Sequence, residues 1–224
     1  MNGAYEAIFV LIVLLIFSAI SFQRRLLDRD GTIIANIMGL AIYLLGGISS
    51  FLTVLLFFTV AELATKVGRS TIGSEHERRT IGNIIGNGAP ALIALALGSN
   101  IAFYGAIAAA LSDTLSSEIG LLSKRKPRLI TNFKEVEPGT DGGVTVLGFL
   151  AGLIGAFFIA AIGAFIYKDI FIVVIITISG FIGCIVDSIL GAAFEIKGML
   201  NNTQVNFLGS ASGALIAYVL TILL

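Results

Sequence analysis

Eight stretches of this chain are apolar over lengths suited to crossing a lipid bilayer, and they leave little room for a soluble fold. They lie at about residues 4–22, 32–47, 49–66, 81–98, 100–120, 142–166, 170–196 and 206–223. A hydrocarbon core of ~30 Å is crossed by a helix of about 20 apolar residues, and a helix satisfies its backbone polar groups internally. The pattern therefore predicts an all-α fold, a polytopic transmembrane helical bundle of about eight spans. The second stretch is short and the seventh long, so a seven-span arrangement in which residues 32–47 re-enter without crossing fits the same pattern. Only 12% of residues are charged, half of what a soluble domain carries (roughly 25%). No internal repeat or low-complexity linker divides the chain, and residues 1–224 read as a single integral membrane domain.

Charge placement predicts orientation. The connections after spans one, three, five and seven hold Arg24, Arg25 and Arg29; Arg69, Arg78 and Arg79; Lys124, Arg125, Lys126, Arg128 and Lys134; and Lys197. Those after spans two, four and six hold only Lys168. By the positive-inside rule the basic connections are cytoplasmic and both termini are extracytoplasmic. The first apolar run has no basic stretch before it and no small-residue cleavage site after it, so it reads as a retained span. The formal net charge is zero, which gives no reason to expect nucleic acid as a partner. A lone Cys184 in an apolar run leaves no internal disulfide to form and reads as a structural thiol. The 26 glycines suit helices that approach closely in lipid.

Ionisable side chains inside a span are costly and point to function. Asp113 lies about two turns from the cytoplasmic end of span five, where Asp113, Ser116, Ser117 and Gly120 share one helix face at ~100° per residue. Asp187 sits at a matching depth in span seven, on a stripe with Gly180, Gly183, Gly191 and Glu195. Either aspartate could simply tie helices together through a serine. Two at one depth, beside the same basic loops, point instead to a site. Span four opens with Asn83, Gly86, Asn87 and Pro90 on one face, amides suited either to a phosphate, ribose or base or to a neighbouring helix. Glu75, Glu77, Arg78 and Arg79 form a charge run before it, and His76 has no second His or Cys with which to bind zinc. Glu62 and Lys66, four apart, are placed to pair.

The strongest local signal is the turn Gly139-Thr140-Asp141-Gly142-Gly143 that precedes Val144 and Thr145. It reads as a flexible loop running into a helix, with Thr140 or Asp141 as N-cap. Bare N–H groups and the helix dipole there attract phosphate, although an ordinary capped turn has the same composition. No P-loop, kinase or Rossmann pattern occurs.

These residues resemble a known family. Ser112-Asp113-Thr114 with Ser117-Glu118-Ile119-Gly120, Pro127, Leu129-Ile130-Thr131, Val136, Pro138-Gly139-Thr140 and Gly142-Gly143-Val144-Thr145 are similar to the family containing plant phytyl-phosphate kinase and human transmembrane protein 19. Asn87-Gly88, Asp187-Ser188-Ile189-Leu190-Gly191-Ala192, Asn201-Asn202 and Val205-Asn206 match it too, and the likeness runs from about residue 60 to the C-terminus. The layout also looks, more loosely, like the CTP-dependent polyprenol kinases. The resemblance implies phosphoryl transfer from CTP to an isoprenoid monophosphate, giving the diphosphate, at the cytoplasmic face. Transposed onto this chain it implies Mg²⁺ held by Asp113 and Asp187, with Glu118 as a third ligand or a neighbour, since it lies about 140° around the helix from Asp113. Lys124, Lys126 and Arg128 would neutralise the triphosphate, with Arg78 and Arg79 as helpers. Gly139, Thr140, Asp141, Gly142, Gly143, Ser117, Thr145 and Asn202 would surround the phosphates, and Asn83 and Asn87 would orient nucleotide or acceptor. Expected partners are membrane lipid, the isoprenoid phosphate and the nucleotide, and a homo-oligomer is compatible with the pattern. A kinase acting on the free polyprenol or phytol, a cation-coupled carrier using the two aspartates as a relay, and a lipid-binding scaffold are the competing readings.

Overall fold

The computed structural model describes residues 3–72 and 81–223. Among them are seven α-helices: α1 (Gly3–Arg24), α2 (Arg29–Ile72), α3 (Ile81–Ala96), α4 (Asn100–Gly120), α5 (Val146–Tyr167), α6 (Phe171–Leu190) and α7 (Asn202–Leu223). A π-helical turn, Gly191–Glu195, extends α6, and two short strands, β1 (Arg128–Leu129) and β2 (Gly143–Val144), lie in the connection between α4 and α5. The all-α class is as the hydropathy requires. Among the described residues five stretches are by themselves long and apolar enough to cross a membrane, against the eight or seven expected: Gly3–Arg24, Arg29–Gly68, Val146–Tyr167, Phe171–Glu195 and Asn202–Leu223. Residues 32–47 and 49–66 belong to one helical stretch, α3 is apolar but shorter, and α4, with Ser112 to Glu118 at its polar end, is not among the five.

Helix α2 is broken at Gly47, whose φ of 72° and ψ of −172° suit glycine alone. The two sides of the break run beside different helices. Before it, a Cβ at Gly31 would lie 3.3 Å from Ile84 and one at Gly46 would lie 2.9 Å from Leu95, so residues 29–46 follow α3 in the same sense. After it, Thr53 Oγ1 lies 3.5 Å from Tyr104 Oη and Gly68 abuts Glu118, so residues 48–72 follow α4. Helix α7 shows that α3 and α4 are antiparallel. Asn83 meets Asn202 and Asn87 meets Ser210 in one sense, whereas Gly105 meets Ala217 and Ala109 meets Gly213 in the other. The chain therefore doubles back at Gly47.

Helix α4 is the axis of the bundle. It touches α2, α3, α5, α6 and α7, and every residue from Ala102 to Ser112 is buried. Such enclosure needs small residues at each crossing. Along α5, Gly148, Gly152 and Gly155 lie against the Ser116, Ser112 and Leu111 carbonyls. On the other flanks Gly180 meets Ala108, Gly183 meets Ala109, and Gly105 meets Gly213. In lipid, where apolar side chains gain nothing by leaving their solvent, close backbone approach supplies much of the association. Helix α1 packs on α2 through Ser21 and Thr32 (2.9 Å) and through Asn36 donating to Ser18 (2.9 Å). Large apolar side chains such as Leu15, Leu44, Phe165 and Phe171 project outward, as a lipid-facing surface requires.

A Cβ at Gly105 would sit 2.5 Å from both Ala217 Cβ and the Gly213 carbonyl. Gly105→Ala is expected to destabilise the bundle by about 1–3 kcal/mol through overpacking, read as a lower Tm in detergent. Gly3→Ala, with nothing within 4 Å of the new atom, should leave the Tm unchanged; equal shifts would refute the axial role of α4.

Candidate active site

The last two turns of α4, the start of the α4–α5 connection, the glycine turn, the end of α6 with its π-turn and the start of α7 surround a cavity of about 290 Å³. Asp113, Ser116, Ser117 and Gly120 line it from α4, as the helical spacing predicts. Asp187, Ser188, Gly191 and Glu195 line it from α6 and its extension. The glycine stripe on α6 explains their position. Gly180 and Gly183 bring α6 against α4, and on α7 a Cβ at Gly209 would fall 2.8 Å from Asp187 Oδ2. Asp113 and Asp187 come within hydrogen-bonding reach of each other as a result. Two carboxylates that close repel each other unless a proton or a cation lies between them.

The glycine turn forms the opposite wall, with a local structure the sequence did not predict. Helix α5 starts at Val146, and its N-cap is Thr145, whose Oγ1 accepts from the Gly148 N–H at 3.0 Å. Thr140 and Asp141 are not the cap. The reason is that Gly143 and Val144 are engaged as β2, paired antiparallel with Leu129 and Arg128, while the Ile130 N–H reaches the Gly142 carbonyl at 3.0 Å. The Gly143 N–H donates to Thr140 and the Thr140 N–H to Glu137, so two of the expected phosphate donors are committed within the turn. Gly142 (φ 67°) packs on Ala192 and Ser188, which pins the turn to the end of α6. Gly139, Thr140, Asp141, Gly142, Gly143 and Thr145 all line the cavity.

Other expected site residues lie elsewhere. Lys126 pairs with Glu137 at 2.7 Å and Arg128 with Glu135 at 3.2 Å, both on the exposed face of the connection. The Glu137 pairing raises the Lys126 ammonium above its ordinary range. Lys124 is exposed and outside the lining. Lys126 and Arg128 therefore brace the loop rather than project into the cavity, because Glu137 and Glu135 in the same loop reach them first. Asn83 and Asn87 also lie outside it. Asn83 donates to Asn202 Oδ1 (3.1 Å), and Asn87 accepts from Ser210 (3.3 Å), so these amides tie α3 to α7. Asn202 does line the cavity. Its Oδ1 takes a second hydrogen bond from Asn206 (2.9 Å), which leaves its NH₂ for the Glu195 carboxylate. Glu118 lines the cavity as well, but its carboxylate lies against Gly68 of α2. Arg78 and Arg79, with Glu75, His76 and Glu77, fall outside the described residues. Glu62 and Lys66 do approach, at 4.0 Å.

The family model for integral membrane protein DUF92 matches residues 12–214 of this sequence. The chain belongs to that family. It is 40% identical to an uncharacterised membrane protein of Methanocaldococcus jannaschii, across 93% of this chain and 92% of the relative. It is 28% identical to protein PGR of Arabidopsis thaliana, covering 87% and 81% of the two chains, and 28% identical to the chloroplastic protein VTE6 of the same plant, covering 85% and 64%. No solved structure matches it. This DUF92 chain is thus an integral membrane protein.

Sequence reasoning left Arg125, Glu195, Ser188 and Asn206 out of the site, and all four line the cavity of this DUF92 protein. Spacing held the clue for two of them: Glu195 is two turns beyond Asp187 on its stripe, and Asn206 one turn beyond Asn202. Nothing in the linear pattern separates Arg125 from its basic neighbours. Among the described residues no three acidic, His or Cys groups cluster tightly enough to hold a metal alone. The donor set suits Mg²⁺ in another way, since that ion commonly uses one or two carboxylates and takes its remaining ligands from water and substrate phosphate. Asp113 and Asp187 fit this pattern.

Shelter in the cavity wall pushes the Asp141 carboxyl above its usual range. The folded chain then binds that proton more tightly than the unfolded chain, so stability from this group is gained as pH falls and lost as pH rises through the raised value. Asp141→Asn should accordingly raise the Tm in chelator at about pH 7 and have no effect at about pH 3, below the ordinary value for Asp. Equal shifts at both pH values would contradict this.

Proposed function

We propose that this chain is a phosphotransferase that moves a phosphoryl group from a nucleoside triphosphate, CTP by the family resemblance, onto an isoprenoid monophosphate of phytyl or geranylgeranyl type. The observation that carries the reading is the meeting of Asp113 and Asp187 in a cavity walled by the glycine turn. We read eight crossings, with the halves of α2 counted separately, both termini extracytoplasmic and the cavity on the cytoplasmic side. The doubling back at Gly47 and the one-sided placement of basic residues support that topology.

Phosphoryl transfer asks mostly for positioning and charge neutralisation. Asp113 and Asp187 would hold Mg²⁺, which when bound offsets the charge on the transferring group. An oxygen of the acceptor monophosphate attacks the terminal phosphorus, the bridging P–O bond breaks, and the nucleoside diphosphate leaves. The acceptor oxygen already carries negative charge, so the site needs no strong base. Ser117, Thr145 and the glycine turn offer hydroxyl and backbone groups to the phosphates. Asn202 keeps Glu195 in place at the cavity wall. Lys124, Lys126 and Arg128 make the surrounding surface attractive to anions. The prenyl tail would remain in the bilayer beside the bundle.

Purified protein with Mg²⁺, labelled CTP and phytyl or geranylgeranyl monophosphate should yield the labelled diphosphate. The free alcohol, offered alongside, should stay unlabelled. Asp113→Asn and Asp187→Asn should each lower turnover by at least about 100-fold without lowering the Tm. Normal turnover in either variant would remove the basis of the reading.

A further inference from the structure

Of the four cations in the basic segment after α4, only Arg125 lines the cavity. It makes no ion pair with any described residue, whereas Lys126 and Arg128 are held by Glu137 and Glu135. Its backbone is fixed from both sides by one serine. The Arg125 N–H donates to Ser123 Oγ at 3.2 Å, and that hydroxyl donates to the Arg125 carbonyl at 3.1 Å. Buried Pro127 anchors the segment just beyond. Asp113, Asp141, Asp187 and Glu195 share the same cavity, yet the guanidinium pairs with none of them.

An arginine that lines a cavity beside several carboxylates and pairs with none of them leaves a place for a ligand that suits both. A phosphate chain is such a ligand: its oxygens accept from the guanidinium fork and also bind a cation held by acids. We propose that Arg125 is the side chain that receives the polyphosphate of the incoming nucleotide. This rests on the phosphotransferase reading and deepens it by separating one phosphate-binding cation from three loop-bracing or peripheral ones. Arg125 is exposed at the rim, where a soluble anion arrives from water. Its planar fork reaches two oxygens at once, which an ammonium does not.

The test is calorimetric titration of full-length protein in detergent with inorganic tripolyphosphate and Mg²⁺. Wild type should bind, and Arg125→Ala should bind about 10- to 100-fold more weakly, the loss of one or two charge-assisted hydrogen bonds. Arg125→Lys should recover part of the loss, and both variants should melt at the wild-type temperature. In turnover assays the nucleotide KM should rise more than kcat falls. Arg125→Ala binding within about twofold of wild type, while Lys126→Ala binds poorly, would overturn this proposal alone. Failure of wild type to bind tripolyphosphate at all would overturn it together with the phosphotransferase reading.

Discussion

The approach of Asp113 to Asp187 is the constraint from which the rest of the architecture can be read. Two carboxylates near the end of a membrane bundle are expensive to desolvate, and they meet only because the helices carrying them touch backbone to backbone. Gly180 and Gly183 set α6 against α4, and Gly209 makes room for the Asp187 side chain. A single added methyl group at any of these crossings would need space that is already occupied. The same economy explains why the central helix is rich in alanine from Ala102 to Ala110, with bulky apolar side chains kept for the outer surface.

Around that pair, three kinds of support converge. The π-turn after α6 re-aims the chain so that Gly191 faces the glycine turn and Glu195 faces the cavity; irregular turns of this type recur at functional sites. The short β1–β2 ladder folds the α4–α5 connection into a wall instead of a free loop. The amide chain from Asn83 through Asn202 to Glu195 joins α3, α7 and the end of α6, and in a membrane such polar ties also hold helices together. Two of the loop cations fit this scheme as structural members. Lys126 and Arg128 close ion pairs across the connection, and exposed pairs of that kind contribute little stability individually while restricting the loop's shape.

The glycine turn shows how local chemistry is redirected by its neighbours. Read alone, Thr140 or Asp141 looks like a helix cap, because short polar side chains beside glycine favour that role. In the folded chain β1 lies alongside and claims the backbone of Gly143 and Val144, so the helix starts at Val146 and the capping duty moves to Thr145. Asn83 and Asn87 illustrate the same effect across helices. Their spacing put them on one face, but that face packs on α7, where each makes a hydrogen bond that ties the two helices together.

By itself the sequence determined the membrane class, the helical character, the shared face of Asp113, Ser116, Ser117 and Gly120, and the stripe leading from Gly180 to Glu195. Those follow from hydropathy and from the helical repeat, which act within a single segment. Tertiary structure alone decided that α2 follows α3 before Gly47 and α4 after it, that α4 is the enclosed axis, and that Arg125 rather than Lys126 or Arg128 lines the cavity. Each of these depends on which segments lie side by side, and neighbours distant in sequence compete for the same hydrogen bonds and charges. A one-dimensional pattern carries a residue's capacity to bond but not the partner that claims it first.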